Sequence, residues 1–146
     1  MQDIAGCRIV VQDLVAQDEV VHKLKSVFDN LEVDDRRERP SHGYRAVHVI
    51  LEKRGKLIEV QVRTKLQHAW AELSQKLSDV VDGAIKYGGG DEELVSLLST
   101  TSNLTMDWDL TVKTRDHGKM LETSQRLFEV QERLAEVVRR VREAKR

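Results

Sequence analysis

Apolar and polar positions divide the 146-residue chain into alternating strand-like and helix-like segments. Residues 7–11 (Cys-Arg-Ile-Val-Val) are a β-branched run after Gly6 and predict a strand. Within 15–28, Val20, Val21, Leu24, Val27 and Phe28 recur at helical spacing, with Asp18 and Glu19 near the start, which predicts an amphipathic helix. Residues 31–34 read as a second short strand, and Pro40-Ser41-His42-Gly43 as a turn. Two longer strands, 44–52 and 57–63, flank a short turn containing Gly55 and predict an antiparallel hairpin. In the second of them Ile58, Val60 and Val62 point one way, and Glu59, Gln61 and Arg63 the other.

Thr64 is placed to cap the next helix, whose apolar face is Leu66, Ala69, Trp70, Leu73 and Leu77. Gly88-Gly89-Gly90 is a flexible break, residues 92–105 predict another helix, and 106–117 carry no clear pattern. Leu127, Val130, Leu134, Val137 and Val141 form a final helical seam, short enough to pack on its own domain rather than form an independent coiled coil. The order strand, helix, strand, strand, strand, helix, helix, helix describes an α+β domain, a mixed β-sheet flanked by helices with further helices at the C-terminus. The expected organisation is one domain over 1–146.

Composition narrows the classes. With 40% apolar and 34% charged residues the chain reads as a soluble globular protein, and no apolar run approaches a membrane span. A single cysteine, Cys7, excludes a disulfide framework within the chain and fits a cytoplasmic location; on its strand it is expected to be buried. The net charge of −1 hides a basic middle third: residues 36–76 carry ten basic and four acidic side chains, whereas 1–35 carry three and eight. Such a block attracts phosphates, or is simply a solvated surface.

The candidate chemistry lies on the hairpin. Glu59, Gln61 and Arg63 share one strand face, and the neighbouring strand adds Tyr44 and His48. Such a face is either the ordinary wet side of a sheet or a site. Asp3, just before the first strand, is placed to meet Glu59, and two such carboxylates are a common means of holding Mg²⁺ against substrate phosphates. Arg36, Arg37, Arg39, Arg45 and Arg63 are available to neutralise phosphate charge, and Tyr44 to stack on a base.

Three stretches together, Asp3-Ile-Ala-Gly-Cys-Arg8, His42-Gly-Tyr-Arg-Ala-Val-His48 and Glu59-Val-Gln-Val-Arg-Thr64 with Gln67-His-Ala-Trp70, resemble the RelA/SpoT synthetase domain, the GTP diphosphokinases that make alarmones. The resemblance covers 3–76. It implies a nucleotidyltransferase-like fold and Mg²⁺-dependent transfer of the β,γ-diphosphate of ATP to the 3′-hydroxyl of GDP or GTP. It implies that Asp3 and Glu59 are the catalytic and metal-binding carboxylates, and that Tyr44, His48, Gln61, Arg63 and Arg45 line the acceptor nucleotide. Arg39 and Arg8 would be weaker phosphate contacts.

Two departures are His42, where long members have asparagine, and Pro40, where they have a lysine. The ATP-binding helices that precede the aspartate in the family have no counterpart before Asp3, and neither does the hydrolase domain of bifunctional members. Two other readings therefore stand beside synthesis: a toxin-like relative that pyrophosphorylates the 3′ end of tRNA, and a non-catalytic guanine-nucleotide-binding or assembly module. Relatives of this size assemble through their helices, so a homo-oligomer is expected by analogy. Trp70 is expected in the core, and His22 and His117 at the surface or in structural roles.

Overall fold

The computed structural model describes residues 5–146. Its sheet has four strands, β1 (Ala5–Val11), β2 (Leu31–Asp35), β3 (Val47–Lys53) and β4 (Lys56–Thr64), in the order β1-β4-β3-β2. β1 runs parallel to β4, and the other neighbours are antiparallel. The β1–β4 pairing requires a crossover, and helix α1 (Leu14–Val27) begins it. The hairpin closes at Arg54 and Gly55, whose φ angles of 53° and 74° are those of a two-residue type I′ turn.

Alternation along the strands sorts the two faces of the sheet. Val47, Val49, Leu51, Val60 and Val62 form one buried cluster with Val21 of α1. The opposite face carries Arg8, Glu59, Gln61, Arg63 and His48, and register aligns them: Arg8 pairs with Gln61, Gln61 with His48, and His48 with Asp34. A second core lies among α2 (Lys65–Val80), α3 (Glu92–Thr114) and α4 (His117–Ala144), built on Trp70, Leu77, Leu94, Leu98, Leu134 and Val137. A short 3₁₀ turn, Ile85–Tyr87, anchors to it through Ile85.

The element order and the mixed sheet are those expected. Three details differ, while the α4 seam packs on its own domain as expected. The strand expected from residue 44 begins at Val47, because Tyr44 closes a tight turn with Ser41 through reciprocal backbone hydrogen bonds of 2.9 and 3.2 Å. The unassigned stretch after 105 continues α3 to Thr114. Cys7 is exposed, since β1 is an edge strand of the sheet. The α4 seam is buried at Leu134 and Val137 but only partly covered at Leu127 and Val130.

A buried polar network fixes the junction between β4 and α2. The Thr64 backbone N–H donates to Gln67 Oε1 at 3.1 Å, and the Gln67 N–H donates to Thr64 Oγ1 at 3.2 Å, a capping box. The Thr64 hydroxyl then donates to Asp109 Oδ2 of α3 at 2.7 Å. Gln17 of α1 donates to the Val62 carbonyl and to Gln67 Oε1, both at 2.8 Å. Three helices thus hold the end of one strand.

Burial raises the Asp109 carboxyl to about 6, Asp13 adds to the rise, and the Thr64 hydroxyl only partly opposes it. A carboxyl raised on folding binds its proton more tightly in the folded state, so its ionisation costs stability above about pH 6 and that cost disappears as pH falls toward 4. The stability of Asp109→Asn relative to the parent should therefore decline between pH 7.5 and 4, by up to ~3 kcal/mol. Urea unfolding across that range measures it, and a constant difference would exclude the assignment.

Candidate active site

The polar face of β3 and β4 closes into a ring of five side chains. Arg63 donates from Nη2 to Gln61 Oε1 and to the Tyr44 hydroxyl, both at 3.0 Å. Gln61 Nε2 donates to Glu59 Oε1 at 2.7 Å. The Tyr44 hydroxyl lies 2.9 Å from His48 Nε2, and His48 Nδ1 lies 3.6 Å from Glu59 Oε1. One consistent set of proton positions has Arg63 donating to the Tyr44 oxygen, Tyr44 donating to Nε2, and Nδ1–H facing Glu59. Every donor around the ring then leads toward the Glu59 carboxylate.

Local sequence explains why these groups meet. Strict alternation puts Glu59, Gln61 and Arg63 on one face two residues apart, and antiparallel register sets His48 opposite Gln61. Tyr44 reaches the ring because the Ser41–Tyr44 turn brings it back over the strands. That turn needs Gly43: its φ is 87°, and a Cβ there would lie 2.6 Å from the Trp70 ring. The Arg63 guanidinium sits 4.9 Å from the centre of the Tyr44 ring, a cation–π contact. Its Nε is buried with no hydrogen-bond partner among the described residues.

Burial pushes His48 below the usual imidazole range. Glu59 and Asp34 pull it back, while Arg36 and Arg63 push it further down. The downward direction favours the neutral imidazole, which fits the arrangement in which Nε2 accepts from the Tyr44 hydroxyl.

The ring borders a cleft of about 430 Å³ between α2, the Ser41–Tyr44 turn and the Ile85–Tyr87 turn. Arg8, Arg36, Arg63 and Lys86 line it beside Tyr44, Trp70 and Tyr87, with Glu72 as the acidic lining residue among those described. The cleft is aromatic and cationic, suited to a planar base that carries negative charge. Among the described residues no three carboxylate, histidine or cysteine groups cluster as a metal site. Glu59 accepts its hydrogen bond on Oε1, so the donor set fits a hard cation held by one protein carboxylate together with oxygens from elsewhere.

Residues 1–78, more than half of the chain, match the family described as the region found in RelA / SpoT proteins. The chain belongs to the RelA/SpoT family. An uncharacterised protein of Mycobacterium tuberculosis is 36% identical over 99 residues, covering 66% of this chain and 36% of that one, and one from Mycobacterium bovis matches equally. The chain thus spans about a third of the length of these curated relatives. Among solved structures, the small alarmone synthetase 1 of Bacillus subtilis bound to its product pppGpp superposes with a TM-score of 0.59 at 24% identity, over 78% of this chain and 62% of that one. A GTP pyrophosphokinase family protein of Streptococcus pneumoniae gives 0.58 at 23% identity, over 86% and 64%. The α+β sheet is the fold they share.

Of the RelA/SpoT site residues expected from sequence, Tyr44, His48, Glu59, Gln61 and Arg63 meet in the ring, and Arg8 lines the adjoining cleft 3.7 Å from Glu72. Asp3 lies outside the described residues. Arg45 does not join. It is 8% exposed and turned into α3, where Nε donates to Ser102 Oγ at 3.1 Å and Nη2 to Asn103 Oδ1 at 2.7 Å; Nη1 donates to the Arg37 carbonyl. It braces the turn that carries Tyr44. Arg39 lines a separate cleft of about 530 Å³ with Asp18, Arg37 and Lys113. Arg37 is held by Asp18 and Asp35 at 2.6 Å each. Trp70 is core, 6% exposed, its Nε1 donating to the Leu98 carbonyl at 2.8 Å. Lys86 and Tyr87 were not foreseen, because only the return of the chain after α2 brings them to the cleft.

Loss of the Glu59 charge removes the strongest influence favouring imidazolium at His48. The His48 midpoint, followed by NMR, should lie below 6.5 in the parent and lower still in Glu59→Gln. A rise in the variant would contradict the ring geometry.

Proposed function

We propose that this chain is an alarmone synthetase that binds its acceptor nucleotide on the polar face of the sheet and catalyses Mg²⁺-dependent transfer of diphosphate from ATP to the 3′-hydroxyl of GDP or GTP. The observation that carries the reading is the Tyr44–His48–Glu59–Gln61–Arg63 ring beside an aromatic, cationic cleft in a RelA/SpoT domain.

On this reading the guanine stacks on the face of Tyr44 away from Arg63, and Arg63 keeps the ring upright. The unpartnered Arg63 Nε is a buried donor that an oxygen of the acceptor satisfies. Gln61 and neutral His48 orient Glu59 from either side. Glu59 takes the proton from the 3′-hydroxyl as that oxygen bonds to the β-phosphorus of ATP; the bond from that phosphorus to the α,β-bridging oxygen breaks, and AMP leaves with that oxygen on its phosphate. Glu59, with Asp3, would hold Mg²⁺, which when bound neutralises developing phosphate charge. The cationic wall of Arg8, Arg36 and Lys86 faces the phosphates.

Incubation with γ-labelled ATP, GDP and Mg²⁺ should yield labelled ppGpp and AMP, and Glu59→Gln should slow it by ~10²-fold or more. Label appearing on the 3′ end of added tRNA instead would move the acceptor to tRNA. GDP binding without any transfer, in parent and variant alike, would reduce the chain to a nucleotide-binding module.

A further inference from the structure

The chain has two tyrosines, and both line the same cleft. Tyr44 belongs to the ring already described. Tyr87 stands on the far side of α2 in sequence, is 69% exposed, and holds Lys86 Nζ 5.2 Å from its ring centre. What sets Tyr87 apart from the other exposed apolar side chains is its place on the cleft, where its ring is open to stack on a planar ligand.

The segment that carries it is fixed in place. Ile85 is 3% exposed within the helical core. Ser78 Oγ donates to the Gly83 carbonyl at 3.1 Å, and the Gly88 and Gly89 N–H groups donate to the Ile85 and Ala84 carbonyls at 3.0 Å. Gly88, with φ 78°, lies against His42: a Cβ there would come 2.5 Å from Nδ1. The turn bearing Tyr87 is thereby locked to the turn bearing Tyr44.

The geometry points to Tyr87 and Lys86 as the outer wall of this cleft, which takes a nucleoside 5′-diphosphate or triphosphate with its base against Tyr44 and Tyr87 and its 5′-phosphates toward Lys86. Lys86 is a cleft cation without an ion pair among the described residues, whereas Arg36 is held by Asp34 at 2.7 Å. This deepens the acceptor reading above and rests on it. Tyr87 supplies a second stacking surface, and Lys86 a point charge that can leave the Tyr87 ring for a phosphate without breaking an ion pair with any described residue.

The test is competition by GDP, GMP and guanosine against a fluorescent GDP analogue on the full chain. Tyr87→Ala should weaken GDP and guanosine by about tenfold, and Tyr87→Phe should restore both to within about twofold, as expected of ring stacking. Lys86→Ala should weaken GDP several-fold and leave guanosine unchanged. Both side chains are exposed, so an unchanged melting temperature separates these effects from misfolding. Unaltered affinity in Tyr87→Ala, or equal loss of guanosine and GDP in Lys86→Ala, would overturn the wall. If Tyr44→Ala weakens GDP and Tyr87→Ala does not, the wall fails and the acceptor reading stands. If the parent binds no guanine nucleotide, the acceptor reading fails and the wall with it.

Discussion

The hydroxyl of Thr64 ends β4 and begins α2, and the site depends on where it puts that boundary. It accepts the Gln67 N–H and donates its proton to Asp109, so both of its hydrogen-bonding roles are used in a place shielded from water. A buried hydroxyl with both roles filled tolerates little movement, because leaving either partner unpaired costs the desolvation of that group. Gln17 extends the constraint to the Val62 carbonyl. Arg63 lies between these two anchored residues, and its guanidinium therefore leaves the strand in one direction. The same strand pairs with β1 on one side and β3 on the other, so Glu59 and Gln61 inherit that registration.

Charge then shapes what the fixed strand presents. Around the ring Arg63 donates to Gln61 and Tyr44, Gln61 donates to Glu59, and with His48 protonated on Nδ1 the Tyr44–His48 side also leads toward the Glu59 carboxylate. The near-neutral total charge of the chain says nothing of this; the basic middle third does. Structure divides that block further. Arg63, Arg36 and Arg8 face the cleft, Arg37 is consumed by Asp18 and Asp35, and Arg45 holds the Tyr44 turn to α3. Equal charges in sequence have three different destinations.

Much of the fold was legible because its signals are local. Alternation in 57–63, a glycine turn at 54–55 and a capping threonine at 64 are short-range chemistry that tertiary contacts did not override. The ring residues were legible for the same reason, together with the resemblance carried by three motifs. What escaped was non-local. Arg45 neighbours Tyr44 in sequence, yet its partners Ser102 and Asn103 come from α3, and nothing near residue 45 announces them. Tyr87 and Lys86 lie beside a glycine triplet that reads as a break, whereas Gly88 is a close packing contact with His42. Cys7 was expected to be buried because its strand is apolar, but strand order put it on an edge.

The central claim is that the polar face of β3 and β4 receives the acceptor nucleotide. Amide chemical-shift mapping of the chain titrated with GDP tests it most directly. Shifts centred on Tyr44, His48, Gln61 and Arg63, saturating together, are the expected result. Shifts confined to the Arg37–Arg39 cleft near Lys113, with the ring residues unmoved, would contradict it.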